Sequence, residues 1–144
     1  MEDFRMPVQI RWSDLDPNFH LRHSVYYDYG AMCRVHFLNQ HALDAAAMQR
    51  LQIGPILFRE EAVFKKEIRS IDTVFMTLKL LKAKKDFSRW TIQHHLIKND
   101  EILSSIITVE GAWINVVARK LTIPPVEVFA AFDSMPKAEN FEWQ

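Results

Sequence analysis

The stretch whose reading decides the fold is R-W-S-D-L-D-P-N-F-H-L-R-H-S-V-Y, residues 11–26, continued by Y-D-Y-G-A-M-C-R-V-H-F-L-N-Q-H through His41. Its first part reads as the end of a strand and a turn. Val8, Ile10 and Trp12 alternate with polar neighbours, and Pro17 both lacks a donor and holds Asp16 extended, so pairing should stop there. From about Ser24 the period changes. Tyr26, Tyr29, Gly30, Cys33, Phe37 and His41 recur at spacings of three and four, the apolar face of a helix ~18–20 residues and ~27–30 Å long. Ser24 is the expected N-cap, and Asp28 lies near the positive end of the helix dipole. Gly30 in a helix interior costs about 1 kcal/mol relative to alanine, which points to close approach of another backbone, as in a helix enclosed by a sheet.

Working outward, Asp44 caps a second, short helix through Leu51, which Gly54-Pro55 should end. Strands follow. Ile56, Phe58, Ala62, Phe64 and Ile68 share one parity; Val74, Met76, Leu78 and Leu80 form the next apolar face. Trp90, Ile92, His94 and Leu96 make a third, and a long strand from about Ile102 to Val117 carries Ile107, Val109, Gly111 and Trp113 on one side. Pro124 or Pro125 suits the first turn of a short helix through about Phe132. This order predicts an α+β fold in a single domain, 1–144: one curved, mainly antiparallel sheet of about five strands wrapped around one long central helix. The open edges of such a sheet need covering, so a homodimer joined through the sheets is expected.

Composition narrows the function classes. The chain has 144 residues, is 49% hydrophobic and 25% charged, and balances 18 basic against 18 acidic side chains. Zero net charge argues against a general nucleic-acid binder, which gains affinity by releasing counterions. One cysteine, Cys33, makes neither an internal disulfide nor a cysteine zinc cage. The start, Met1-Glu2-Asp3-Phe4-Arg5, lacks the basic and apolar segments of a signal peptide, and no apolar run approaches the ~18 residues of a membrane helix. A cytoplasmic protein without membrane partners is the expectation.

The densest group of functional side chains is Asp14, Asp16, His20, Arg22, His23, Tyr26 and Tyr27, in the loop feeding the long helix. An aspartate there either stabilises a turn or stands as nucleophile or base beside helix-start N–H groups that polarise a carbonyl. The spacing alone leaves both open. Residues 11–26 resemble the motif of the hotdog-fold acyl-CoA thioesterases, the 4-hydroxybenzoyl-CoA thioesterase-like group, whose pattern is D-x-x-G-H-V-N-N-x-x-Y at the opening of the central helix. Asp16 matches the family's catalytic aspartate, His20 its histidine and Tyr26 its tyrosine. Phe58-Arg59-Glu60-Glu61 followed by Phe64 resembles the family's second strand, and A-R-K-L-T-I-P-P-V-E-V-F its ending. Phe19 stands where the motif has glycine, and Arg22-His23 where it has two asparagines.

The resemblance implies hydrolysis of an acyl thioester to free acid and coenzyme A. The carbonyl would rest on N–H groups around His23 and Ser24, with Asp16 attacking it or activating water. It also implies a homodimer with the acyl group between subunits, in some relatives a dimer of dimers (homotetramer), and coenzyme A only as part of the substrate. Two alternatives keep the fold: a non-catalytic dimer that binds an acyl thioester, and a hydroxyacyl-thioester dehydratase. Glu60, on the inward parity of its strand, is the fallback carboxylate, against lying near an edge or pairing with Arg59 or a lysine. His20, His23 and Asp16 are suitable metal donors by type, but their loop spacing does not favour it, and no metal is expected. His94 reads as a hydrogen-bonded core histidine, His95 as exposed, Cys33 as packing, and Trp90 and Trp113 as sheet packing or acyl-pocket walls. Residues 59–89 carry nine Lys/Arg against five Asp/Glu. Their Lys82, Lys84, Lys85 and Arg89 are candidates to hold the phosphates of coenzyme A.

Overall fold

Alternating apolar side chains place five strands in one antiparallel path. In the computed structural model, which describes residues 3–144, these are β1 (Phe4–Val8), β2 (Ile53–Phe64), β3 (Val74–Ala83), β4 (Arg89–Lys98) and β5 (Ile102–Asn115), ordered β1-β3-β4-β5-β2. Met1 and Glu2, the first residues of the start read above as lacking a leader, lie outside the described residues. Val74, Met76, Leu78 and Leu80 of β3 and Trp90, Ile92, His94 and Leu96 of β4 are all buried, as their shared parity requires. The long helix α1 (Val25–Gln40) packs on that face, touching β1, β2, β3 and β5, with Val25, Tyr26, Cys33 and Phe37 in the common core.

Several boundaries differ from expectation for local reasons. The first strand comes earlier and ends at Val8; Trp12 lies in a 3₁₀ turn, Trp12–Asp14, and is 79% exposed. The Asp14 carboxylate accepts the Arg11 N–H at 3.0 Å, which draws the chain out of the ladder before the apolar alternation ends. The long helix has 16 residues, because Ala42 turns left-handed (φ 60°) and the Leu43 N–H returns to Leu38 O at 2.9 Å. α2 (Ala45–Leu51) is capped by Asp44 through the Ala47 N–H at 2.8 Å, but it ends at left-handed Gln52; Gly54 and Pro55 already belong to β2. The parity expected from Ile56 to Ile68 is broken by a bulge between Leu57 and Arg59, which leaves Phe58 unpaired and half exposed, while Phe64 keeps the parity of Ala62 and meets Tyr26 though half exposed.

α3 (Val126–Asp133) follows Pro125 as expected. Two short strands bring the sheet to seven: β6 (Lys120–Leu121) beside β5, and β7 (Lys137–Trp143) parallel to β3. β1 pairs with Val74–Leu78 and β7 with Leu80–Ala83, so the two share one edge of β3 end to end. Gly30 does mark a close approach, but of side chains rather than backbone. A Cβ there would lie 3.3 Å from an Arg34 guanidinium nitrogen and 3.4 Å from the His94 ring. Gly111 answers to backbone: its Cβ would sit 2.6 Å from Ile56 O and against the Trp90 ring.

Candidate functional site

The loop ahead of α1 is held by two aspartates with different tasks. Asp14 is fully buried and accepts from the Arg11 backbone, the Arg11 guanidinium (2.9 Å) and the Tyr29 hydroxyl (2.8 Å). The Arg11 bond foremost holds its carboxyl down at about 2, so Asp14 is a fixed anion that anchors the loop to the helix. Its backbone oxygen also accepts the Arg22 N–H at 2.7 Å, and the Leu21 N–H donates to Ile68 O at 2.7 Å. Between these anchors, Asp16 to His20 form a tight turn: Asp16 N–H to His20 O at 2.8 Å and Phe19 N–H to Asp16 O at 2.9 Å. Phe19, at the motif's glycine position, takes φ 63°, the left-handed conformation glycine would supply.

Asp16 is half buried. Its Oδ1 accepts the N–H groups of Asn18 (2.9 Å) and His20 (3.1 Å), while its second oxygen accepts no hydrogen bond among the described residues. It borders an open cleft of about 320 Å³, with His20, His23, Tyr26, Phe64 and the pair Lys65-Lys66. The Tyr26 hydroxyl is pushed up to about 12 by burial and then by the Asp16 charge, so it stays a donor; its ring meets Phe64 edge-on at 4.9 Å. The backbone N–H groups of His23 and Ser24 have no acceptor among the described residues, at the positive start of α1. Ser24 holds the N-cap position but not the expected role. Its hydroxyl is taken by Arg22 (3.0 Å) and its backbone is already helical, so no side-chain cap forms. The His20 ring pairs with Glu67 at 3.3 Å and meets Asp16 only through its backbone.

The remaining candidates lie elsewhere. Glu60 faces α1, as its inward parity suggested, but its partner there is Arg34 at 3.7 Å; Arg59 pairs with Glu61 at 2.8 Å instead. Lys82 sits eight residues along β3 from Val74, ~27 Å of extended chain. The cleft belongs to the Val74 end: Lys98, opposite Val74, donates to the backbone oxygen of Glu67 at 2.7 Å. Within one chain, Lys82, Lys84, Lys85 and Arg89 therefore gather at the opposite end of the sheet, where Lys82 meets Glu142 at 3.5 Å and Arg89 lies over Phe58 at 4.9 Å. The basic residues at the cleft, Lys65 and Lys66, escaped the sequence reading, although a lysine pair directly after the last aromatic of a strand was a usable signal.

His94 is the hydrogen-bonded core histidine expected, between Thr77 O and Arg34, at 3.0 Å each. His95 is half buried rather than exposed, with Gln93 at 3.3 Å. Burial pushes the Cys33 thiol up to about 12, consistent with packing. Among the described residues, no group of three or more His, Cys, Asp or Glu is placed to hold a metal ion, and no helix is long and apolar enough to cross a membrane.

Comparison with known proteins bears on this geometry. Residues 10–132 match the family model described as the thioesterase-like superfamily. A search of curated protein sequences gives no match. Among solved structures, the chain superposes on a hypothetical protein from Staphylococcus aureus in complex with CoA, at TM-score 0.84 and 18% identity, covering 95% of this chain and 88% of that one. A 1,4-dihydroxy-2-naphthoyl-CoA thioesterase from Synechocystis gives TM-score 0.81 at 13% identity, covering 92% and 97%. A DHNA-CoA thioesterase from Staphylococcus aureus gives 0.75 at 15%, covering 85% and 81%. At these identities the likeness shows the fold, which is the hotdog fold.

Proposed function

Because the chain belongs to the thioesterase-like superfamily and so is a thioester hydrolase, we propose that it cleaves an acyl-CoA to free acid and coenzyme A with Asp16 as the reacting carboxylate. One observation carries the assignment to Asp16. Its second oxygen is unpaired and borders the same cleft as His23 and Tyr26, at a helix start whose N–H groups lack acceptors. A thioester carbonyl placed on the His23 and Ser24 N–H groups gains stabilisation as its oxygen becomes negative. Asp16 then attacks the carbonyl carbon, expelling the thiolate and leaving an anhydride that water opens, or it takes a proton from the water that attacks. The two routes share the same groups. Tyr26, held protonated, supplies a donor beside the carboxylate, and His20 positions the turn through its backbone N–H.

Phe19 supports activity rather than loss of it. The turn keeps the left-handed geometry of the glycine motif, and the Phe19 side chain, 59% exposed, points away from the core to lie beside Trp12. A homodimer belongs to this reading. β2 is a sheet edge with Leu57, Phe58, Val63 and Phe64 exposed along it, and pairing two such edges would cover them. Lys65 and Lys66 are then the nearest cations for the phosphates of coenzyme A, and the Lys82–Arg89 group reaches a cleft only as part of a neighbouring subunit. The substrate class is tested by following free-thiol release from aromatic, short-chain and long-chain acyl-CoAs. Turnover of at least one is expected. Saturable binding without release of thiol from any of them would favour the non-catalytic dimer, and loss of water from a hydroxyacyl-CoA would favour the dehydratase.

A further inference from the structure

The end of the sheet away from the Asp16 cleft exposes aliphatic side chains on a braced backbone. After β5, the Asn115 side-chain oxygen accepts the N–H groups of Val117 (3.0 Å) and Ala118 (2.8 Å), and the Arg119 N–H closes the turn on Asn115 O at 2.8 Å. β6 then pairs with Ile114 and Asn115, and Pro124-Pro125 stiffen the step into α3. On this frame Val117, Leu121, Ile123 and Val126 are held outward, between 51% and 74% exposed. α3 extends the surface. It buries Val128, Ala131 and Phe132, while Val126 and Phe129, one turn apart on its other side, stay exposed. A helix apolar on both sides normally has a partner on each.

Cations surround these aliphatic groups. Lys84 and Arg89 share an open pocket with Leu121 and Ile123, Lys85 lies in the same turn as Lys84, and Arg119 and Lys120 directly precede Leu121. None of the five forms an ion pair among the described residues. The carboxylates of these segments are Glu127 and Asp86, whose oxygen accepts the Ser88 N–H at 2.9 Å. Residues 84–89 and 116–129 therefore carry five Lys/Arg against two Asp/Glu. A protein partner fits this composition poorly, because Lys, Leu and Val are under-represented where protein interfaces concentrate their energy. Lysines flanking exposed aliphatics suit an anionic bilayer: the aliphatic tips enter the boundary between headgroups and acyl chains while the cations reach the phosphates. The expectation of no membrane partner rested on the missing leader and spanning segments, which do not bear on docking from one side.

We propose that this end of the molecule docks on an anionic lipid bilayer, with Val117, Leu121, Ile123 and Val126 entering the interface and the surrounding lysines and arginines meeting lipid phosphates. The docking stands whether or not Asp16 performs hydrolysis. Its test is co-sedimentation of the whole chain with vesicles of phosphatidylcholine alone and of phosphatidylcholine with about one-third phosphatidylglycerol. Saturable binding to the anionic vesicles is expected, about tenfold or more tighter than to the neutral ones and weaker as salt rises. Arg119→Gln with Lys120→Gln, outside the cations considered for coenzyme A, is expected to weaken it about 25-fold, about fivefold for each charge at the surface. Ile123→Ser with Val126→Ser, which leaves every charge in place, is expected to weaken it about tenfold. Lys65→Gln with Lys66→Gln, at the Asp16 cleft, is expected to bind as the wild type does. No binding to the anionic vesicles overturns the proposal and leaves the surface to a protein partner. Binding unchanged by Ile123→Ser with Val126→Ser overturns it too, as does binding lost with Lys65→Gln and Lys66→Gln. If the Ile123 and Val126 variant fails to fold by thermal melting, Val117→Ser with Leu121→Ser decides: unchanged binding overturns the proposal.

Discussion

Phe19 holds a conformation that its side chain disfavours. A left-handed non-glycine residue costs roughly 1–2 kcal/mol, and the exposed contact with Trp12 at 6.0 Å is a weak return. Phe19→Gly is therefore expected to be more stable in urea denaturation than Phe19→Ala by about 1 kcal/mol; alanine keeps the strain and loses the contact. Equal stabilities would mean that the turn relaxes when the ring is removed. The two aspartates flanking Leu15 looked alike as letters, and what separates them is partly local, the Arg11 bonds to Asp14, and partly distant in sequence. Tyr29, fifteen residues beyond Asp14, turns that carboxylate into an anchor, while Asp16 keeps one oxygen open. The motif resemblance points to Asp16, which borders the cleft, but spacing had no access to Tyr29.

Acid should act on two buried groups, His94 first and Asp14 at lower pH. His94 is pushed down to about 3, by burial first and the Arg34 charge second, against an ordinary value of 6.5. The unfolded chain therefore takes up this proton where the folded protein cannot. The stability that neutral His94 contributes is complete above about pH 6.5 and falls by up to about 1.4 kcal/mol per pH unit below it, down towards pH 3. Asp14, held at about 2 against 3.8, contributes stability that is complete above 3.8 and is lost as pH falls through 2. Chemical denaturation between pH 7 and 4 should show a shallower pH slope for His94→Gln than for the wild type. Parallel slopes would contradict the neutral, buried histidine.

At the scale of elements, alternation was the legible signal, and it worked where a strand buries one face. β3 and β4 begin within a residue of the expected positions and end two to three residues later, because every second residue enters the core. It failed where geometry interrupts the period. The bulge at Leu57/Arg59 shifts β2's register, and β7, K-A-E-N-F-E-W, pairs along an edge with too few buried residues to mark it. Gly111 is a case of contact that only the fold reveals. Gly111→Ala forces a methyl into Ile56 O and the Trp90 ring, and is expected to destabilise the protein by about 2–3 kcal/mol, read as a lower urea midpoint at unchanged slope. A loss under 0.5 kcal/mol would show that β2 and β5 separate easily at this pair.

For the whole molecule, an even charge balance argues against polyanion binders in kind but says nothing about place. The basic surplus of residues 59–89 divides between Lys65-Lys66 at the cleft and the Lys82–Arg89 group at the far end of β3 and β4. Only the sheet register shows that strand length separates them. The exposed apolar edge of β2 predicts a dimer in sedimentation at micromolar concentration, and Leu57→Lys with Val63→Lys should shift it towards monomer and lower thiol release together. A wild-type monomer with full activity would contradict that arrangement. The central claim is tested most directly by thiol release from the best acyl-CoA substrate with wild-type protein and Asp16→Asn, their melting temperatures compared in parallel. The account predicts a fall in kcat of about 10²-fold or more with little change in melting, since Asp16 bonds only its own turn. Equal rates in the two proteins would remove Asp16 from the chemistry.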